Sequence, residues 1–212
     1  MKELVEKRPD LCEAWVAPAG GIPPPGSLPL PAEWLELSPD LFRALDTFGT
    51  DFPILCAGLP AIPRWTPAEG FREGCSVLVP FQDPENVGAV IRSAAALGAA
   101  QVILMKESAH PFHPKSIRAS GGSVFTIPLR EGCSISDLTG DLPLVVLSAK
   151  GRDLRTVHFP DAFGLLAGME GPGLPEPLRD ETVGIPLTGG VESLNAAVAA
   201  SLALYEWNRR TR

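Results

Sequence analysis

The chain has 212 residues, 45% of them hydrophobic, with 18 basic and 25 acidic side chains and a formal net charge of −7. That composition fits a soluble folded protein long enough to bury a core, and it excludes a disordered chain or a broad polyanion binder. No apolar run reaches the roughly 18 residues of a membrane span, and the charged first residues do not resemble a signal peptide. Cys12, Cys56, Cys75 and Cys133 are scattered with no C-x-x-C pair, so reduced thiols in a cytoplasmic protein with no metal site are expected.

In chain order, Cys12–Ala17 reads as a strand. Residues 18–31 carry Pro18, Pro23, Pro24, Pro25, Pro29 and Pro31, too many for regular structure. Trp34–Leu37 is strand-like again. Ser38-Pro39-Asp40 opens a helix, with Ser38 as cap and Pro39 at the first position, and Phe52–Ala57 is apolar. Pro60 to Glu73 reads as a linker, which places a boundary near residue 75.

From there the pattern alternates. Cys75–Pro80 is a buried strand and Glu85–Leu97 a helix; Gln101–Met105, Leu144–Leu147, Phe163–Ala167 and Thr182–Leu187 are strands; Ser193–Arg209 is a long helix. Short continuous apolar strands alternating with helices predict an α/β domain whose mostly parallel sheet is covered on both faces.

The charge is unevenly spread. Residues 1–75 hold 6 basic and 11 acidic side chains, a net of −5, and residues 76–212 hold 12 and 14, a net of −2. Within 86–118, Arg92, Lys106, Lys115 and Arg118 stand against Glu107 alone, with His110 and His113 beside them; Lys150, Arg152 and Arg155 gather around Asp153. Such small clusters suit a grip on a few phosphates and not on a long duplex.

Three segments carry chemistry. In Asn86-Val-Gly88-Ala-Val-Ile-Arg92, Asp83 can cap the helix, Pro84 suits its first position, and Glu85 favours the positive end of its dipole. Arg92 lies four residues after Gly88, so its stem should pass over the glycine toward the helix mouth. In Gly168-Met-Glu170-Gly171-Pro-Gly173-Leu174, an apolar strand empties into a turn whose glycines would let a ligand lie against bare amides. Glu170, a carboxylate in apolar surroundings, needs a partner there. In Ile185-Pro-Leu187-Thr-Gly189-Gly-Val-Glu-Ser193-Leu194-Asn195, Ser193 sits where a cap belongs, and Leu194, Val198, Leu202 and Tyr205 follow as a helical apolar stripe. By itself that stripe reads as core packing.

Together, in this order, the three segments resemble the three motifs of the SpoU branch of the SPOUT superfamily, the S-adenosylmethionine-dependent RNA 2′-O-ribose methyltransferases. The resemblance spans about residues 75 to 208, including the run from His113 to Pro128 and the strand end Leu147 to Leu154 that helps wall the family's cofactor pocket. Leu187 stands where the family usually has Met, and Ala196-Ala197 where it has Val-Ser.

The resemblance implies a catalytic domain at residues 75–212 with a C-terminal trefoil knot. Residues 1–74, whose run from Ser38 resembles the later half of an L30e-type fold, would form a small RNA-substrate-binding domain with its first strand and helix absent or much shortened. It implies methyl transfer from S-adenosyl-L-methionine to structured RNA, ribosomal RNA favoured over transfer RNA, by a homodimer joined through the C-terminal helix and knot. Arg92 would be the central catalytic residue, with Asn86, Glu170, Ser193 and Asn195 around it. Gly168, Ile185, Leu187, Leu194, Leu147 and Gly173 would hold the cofactor, and Lys115, Arg118, Lys150 and Arg152 the RNA. A transfer-RNA methyltransferase and a non-catalytic RNA-binding module keeping the fold are the alternatives.

Overall fold

The computed structural model describes residues 1–26, 32–138, 141–168, 174–179 and 181–211. They gather into two units, Met1–Ala61 and Ile62–Arg212. Residues 27–31 of the proline-rich stretch lie outside the described residues.

The first unit runs α1 (Lys2–Lys7), β1 (Cys12–Pro18), β2 (Glu33–Leu37), α2 (Pro39–Leu45) and β3 (Ile54–Ala57). Strand β1 is central, parallel to β2 and antiparallel to β3. Its period-2 alternation turns Ala14 and Val16 to one face, where they pack with Phe42 of α2. As predicted, Ser38 caps α2 by accepting from the Leu41 amide, and Pro39 opens the helix. The edge strand β2 is exposed from Glu33 to Glu36.

The second unit runs β4 (Gly74–Val79), α3 (Pro84–Ala96), β5 (Gln101–Leu104), α4 (Pro114–Ser120), β6 (Leu129–Glu131), β7 (Leu144–Asp153), β8 (Ala162–Leu166), β9 (Thr182–Gly184) and α5 (Ala196–Thr211). Its sheet has the order β6-β5-β4-β8-β7-β9, and every neighbouring pair is parallel. The predicted α/β class with a mostly parallel sheet is therefore what forms. Consecutive residues of β4 and β5 are buried, so both faces are covered. One face holds Leu78, Ile103, Val146 and Leu166 against Ile135 and Leu178. Asp83 caps α3 by accepting from the Glu85 amide at 2.9 Å, also as predicted. Among the described residues no helix is long and apolar enough to cross a membrane.

Three readings need correction. From Ile62 on, the stretch read as a linker belongs to the second unit: Trp65, 2% exposed, sits in the sheet's core with Phe71 packed on it. Backbone bonds tie that stretch to β6, from the Trp65 amide to the Glu131 carbonyl and from the Glu131 amide to the Pro63 carbonyl.

Gly88 does not make room for Arg92. A Cβ there would lie 2.7 Å from the Ala119 Cβ and still nearer the Ser116 carbonyl oxygen, so the glycine exists to let α4 press against α3.

The stripe on α5 is not core packing. Val198, Leu202 and Tyr205 are exposed, and the buried face is Ala197, Ala200, Ala203, Leu204 and Trp207. That alanine-lined face fits close against α3, where the Ser201 and Ser93 hydroxyls bond at 2.7 Å and Asn208 donates to the Leu97 carbonyl at 2.8 Å.

Candidate active site

Parallel sheets leave a crevice at the carboxyl ends of their strands, deepest where the strand order reverses direction. Here β5 and β6 lie to one side of β4, and β8, β7 and β9 to the other. The carboxyl ends of β8, β7 and β9 open on a cavity of about 990 Å³. Leu147, Ser148, Ala149 and Lys150 line it from β7; Gly168 follows β8; Thr182, Val183, Ile185 and Leu187 come from β9 and beyond. Ser193, Leu194, Asn195, Ala196 and Ala199 close it from the start of α5, and Leu174 and Arg179 from the chain before β9.

The structure thus brings Leu147, Gly168, Ile185, Leu187 and Leu194 together from segments far apart in sequence, with Ser193, Asn195 and Lys150 among them. Gly168 is bare for a structural reason, because a Cβ there would stand 2.9 Å from the Leu147 carbonyl oxygen. The strand ends of β7 and β8 consequently meet at backbone distance. Glu170 and Gly173 lie outside the described residues.

Asn195 joins the cavity to the first motif. Its Oδ1 accepts from the amides of Ala197 at 2.9 Å and Val198 at 3.1 Å, and its Nδ2 donates to Asn86 Oδ1 at 2.9 Å. Asn195, and not Ser193, is therefore the cap of α5. Both residue types cap well, and the helix begins three residues later than predicted, leaving Ser193 exposed at the cavity lip.

Arg92, six residues along α3 from Asn86, is outside the lining. It is exposed, and among the described residues it makes no hydrogen bond or ion pair; its Cζ lies 3.5 Å from where a Cβ on Gly121, the residue that caps α4, would stand. Lys115 and Arg118 are exposed on α4. Lys115 reaches Glu85 at 3.5 Å, with both side chains more than half exposed, a pair that water screens to little net energy.

The second basic cluster does not converge. Lys150 lines the cavity and Arg152 is exposed on the later part of β7. Arg155 donates to Asp153, which holds that carboxyl below the usual carboxylate range. The C-terminal cations are also engaged. Arg209 and Arg210 both donate to Glu206, pulling its carboxyl down to about 2. Arg210 also donates to the carbonyls of Arg155 at 2.6 Å and Val157 at 2.7 Å.

The cavity has apolar walls for a flat ring at Leu147, Val183, Ile185, Leu187 and Leu194, and two cations, Lys150 and Arg179, for a carboxylate. Among its described lining residues there is no carboxylate or imidazole. Arg179, whose Nε donates to the Leu174 carbonyl at 2.6 Å, was missed in the sequence, since it falls between motifs; so were Thr182 and Val183 as lining residues.

With this geometry in view, the model of the SpoU rRNA Methylase family matches residues 75–205. The chain is 56% identical over 207 residues to a protein of Syntrophobacter fumaroxidans called Ribosomal RNA small subunit methyltransferase G 2, covering 98% of this chain and 42% of that protein. It is 36% identical over 137 residues to the 23S rRNA (uridine(2479)-2′-O)-methyltransferase of Streptomyces viridochromogenes, covering 58% of this chain and 48% of that one. The chain therefore spans less than half the length of either relative. Among solved structures it is similar to the SpoU methyltransferase AviRb from Streptomyces viridochromogenes in complex with the cofactor AdoMet. The TM-score is 0.76 at 27% identity, over 94% of this chain and 83% of that one.

Proposed function

The chain belongs to the SpoU rRNA methylase family, and we propose that it transfers a methyl group from S-adenosyl-L-methionine to a ribose 2′-oxygen of structured RNA, ribosomal RNA before transfer RNA. One observation carries this reading: residues of the second and third motifs line a single cavity, and Asn195 ties that cavity to Asn86 on the helix that bears Arg92. The names of the relatives support the choice of ribosomal RNA.

The cavity fits the cofactor. Its volume lies at the upper end of the several hundred to about 1,000 Å³ usual for small-molecule sites, its apolar strand ends suit a purine ring, and Lys150 and Arg179 suit the carboxylate of an amino acid. Bound there, the cofactor supplies a methyl group on a positive sulfur, already activated for displacement. Aligning the 2′-oxygen is then the main task of the protein. As the oxygen takes the methyl group, its proton would pass to solvent water and the cofactor would leave as S-adenosylhomocysteine. Arg92, permanently charged, clamps a phosphate beside the target ribose or steadies the developing alkoxide; it does not serve as base. Ser193 and Asn195 form the lip at which the ribose enters, Asn86 holds Asn195, and Glu170 completes the set. Lys115, Arg118, Lys150 and Arg152 contact the RNA. The 2′-hydroxyl is what restricts the reaction to RNA.

The proposal extends to assembly. The exposed stripe Val198, Leu202 and Tyr205 on α5 supports a two-fold homodimer, the commonest symmetric solution. The run β8-β7-β9 and the return of α5 to the cavity wall support a trefoil knot within residues 75–212. The small mixed sheet with α2 supports an L30e-like segment at residues 1–74 that helps choose the RNA.

Calorimetric titration with S-adenosylhomocysteine, followed by tritium transfer to ribosomal and transfer RNA, tests the reading. Binding and a methylated, alkali-resistant ribose in ribosomal RNA are expected. Label in transfer RNA alone would move the substrate, and binding without transfer would leave a non-catalytic module. Light scattering should give twice the 22.5 kDa chain mass. A chain starting at Ile62 should still bind cofactor but lose RNA selectivity.

A further inference from the structure

The first unit carries the wrong charge for gripping phosphates. Residues 9–61 hold seven carboxylates and a single cation, Arg43. That cation is engaged, donating to Asp40 and, at 3.3 Å, to the Pro39 carbonyl. The three cations before it are paired as well, Lys2 with Glu6, Lys7 with Glu3 and Arg8 with Asp10. Proteins hold phosphates with Lys and Arg, and even aromatic platforms for single strands sit in a positive groove. A surface of this sign repels a polyanion.

The same unit shows apolar side chains on the outside of α2 and on the turn that follows. Phe42 is buried against the sheet, whereas Leu41 and Leu45, four residues apart and so on one helix face, are exposed. Leu35 of β2, in register with Val16, emerges on the same side of the sheet and is also exposed. The turn is braced by Asp46, whose Oδ1 accepts from the Phe48 amide at 3.3 Å and whose Oδ2 accepts from the Asp51 amide at 2.8 Å. Asp51 takes φ 55°, in the left-handed region, which Asp tolerates better than most residues. Near the two ends of this braced turn stand the exposed rings of Phe48 and Phe52. Anchors already held in place lose little freedom on binding. Apolar anchors among Asp40, Asp46 and Asp51 complement a protein surface that is apolar at its centre and basic around it. The rest of the chain does not supply that charge, since residues 62–212 hold 14 basic and 16 acidic side chains, and a second copy would only repeat the balance.

We propose that the outer face of α2 and the turn 46–51 form a docking site for a basic protein already bound to the RNA, so that the first unit selects its substrate through that protein and not through phosphates. Proteins that coat RNA carry the required surplus of Lys and Arg. The inference rests on the proposed activity only for the RNA on which that protein sits.

The test compares ribosomal subunits with the RNA extracted from the same subunits, using the full-length protein throughout. The wild type should bind the subunits about tenfold or more tightly than the extracted RNA. Phe48→Ser combined with Phe52→Ser should abolish that difference, with the unfolding midpoint and the affinities for extracted RNA and S-adenosylhomocysteine unchanged. Leucine at both positions should keep most of it. Ala44→Lys adds a cation on the exposed side of α2 and separates protein from RNA by sign. It should weaken subunit binding about fivefold or more through like-charge repulsion, whereas a contact with RNA would tighten. Equal wild-type affinity for both ligands overturns the proposal, as does subunit binding that Ala44→Lys strengthens or leaves alone, or that the serine pair leaves unchanged. The expected binding pattern in a protein that methylates neither ligand would uphold the docking site and reject the proposed activity.

Discussion

The two halves of the large sheet are built on different principles. On the side of β8, β7 and β9, the useful features are backbone edges and apolar strand ends, gathered where strands stop. On the side of β4, β5 and β6 they are single cations on helices, with Arg92, Lys115 and Arg118 carried by α3 and α4. A cavity made of backbone keeps its shape as long as the sheet survives. A cation on a helix is only as well placed as the packing beneath it, and here that packing is Gly88 of α3 against Ser116 and Ala119 of α4. The hydrogen bond from Asn195 to Asn86 is where the halves meet.

If that division is real, the halves can be disabled separately. The largest effect is expected from Arg92→Ala: methyl transfer falls on the order of a hundred- to thousandfold, while titration with S-adenosylhomocysteine stays near wild type. An active mutant would end the assignment of Arg92. Gly168→Val should do the converse. It places a branched side chain 2.9 Å from the Leu147 carbonyl oxygen, and overpacking of that kind costs about 1–3 kcal/mol. Cofactor affinity should drop about ten- to a hundredfold; normal affinity in a folded variant would make Gly168 a mere turn residue.

Asn195 sharpens the comparison. Asn195→Ala removes a helix cap worth about 1 kcal/mol as well as the link to Asn86, so the thermal midpoint should fall by a few degrees. Asn195→Asp keeps an acceptor for the Ala197 and Val198 amides and removes only the donor to Asn86. It should recover most of the stability but not the activity, and equal activity losses with equal stability losses would reduce Asn195 to a cap.

The smallest effect is on acid stability. Glu206 is lowered to about 2 from an ordinary 4.5 by Arg209 and Arg210. A depressed carboxyl stabilises the fold above its unfolded value and loses that contribution as pH falls through the folded one. Unfolding midpoints should therefore decline between about pH 4.5 and 2, and Glu206→Gln should flatten that part of the curve. An unchanged acid limb would mean the ion pairs do not contribute.

Much of the large sheet was legible. Strands β4, β5 and β8 announce themselves as mostly apolar runs, and Asp83 and Ser38 act as the caps their positions suggest. What escaped has physical causes. Helix α4 is seven residues long with Lys115, Ser116 and Arg118 interrupting any apolar stripe, and β6 is the triplet Leu129–Glu131, with two charged residues. Gly88 was misread because its neighbour in space is some thirty residues away, at Ser116 and Ala119. Periodicity shows that α5 has an apolar stripe but not whether the stripe meets the sheet or solvent. The Ser193 boundary failed because two cap-competent residues stand two positions apart. The linker failed because Trp65 and Phe71 lie among prolines and glycines, although their ring centroids stack at 5.4 Å.

The placement of the tryptophans makes the protein its own fluorescent probe. Trp15 and Trp34 lie in the first unit, Trp65 and Trp207 in the second. Trp34 is 51% exposed and Trp65 only 2%, so their emission belongs at opposite ends of the indole range, red in water and blue in an apolar core. Unfolding of the second unit would shift the blue component, and if the first unit meets the substrate as proposed, its arrival would quench the red one. With Trp34→Phe as the reference, a single spectrum could distinguish loss of fold from arrival of substrate without any attached dye.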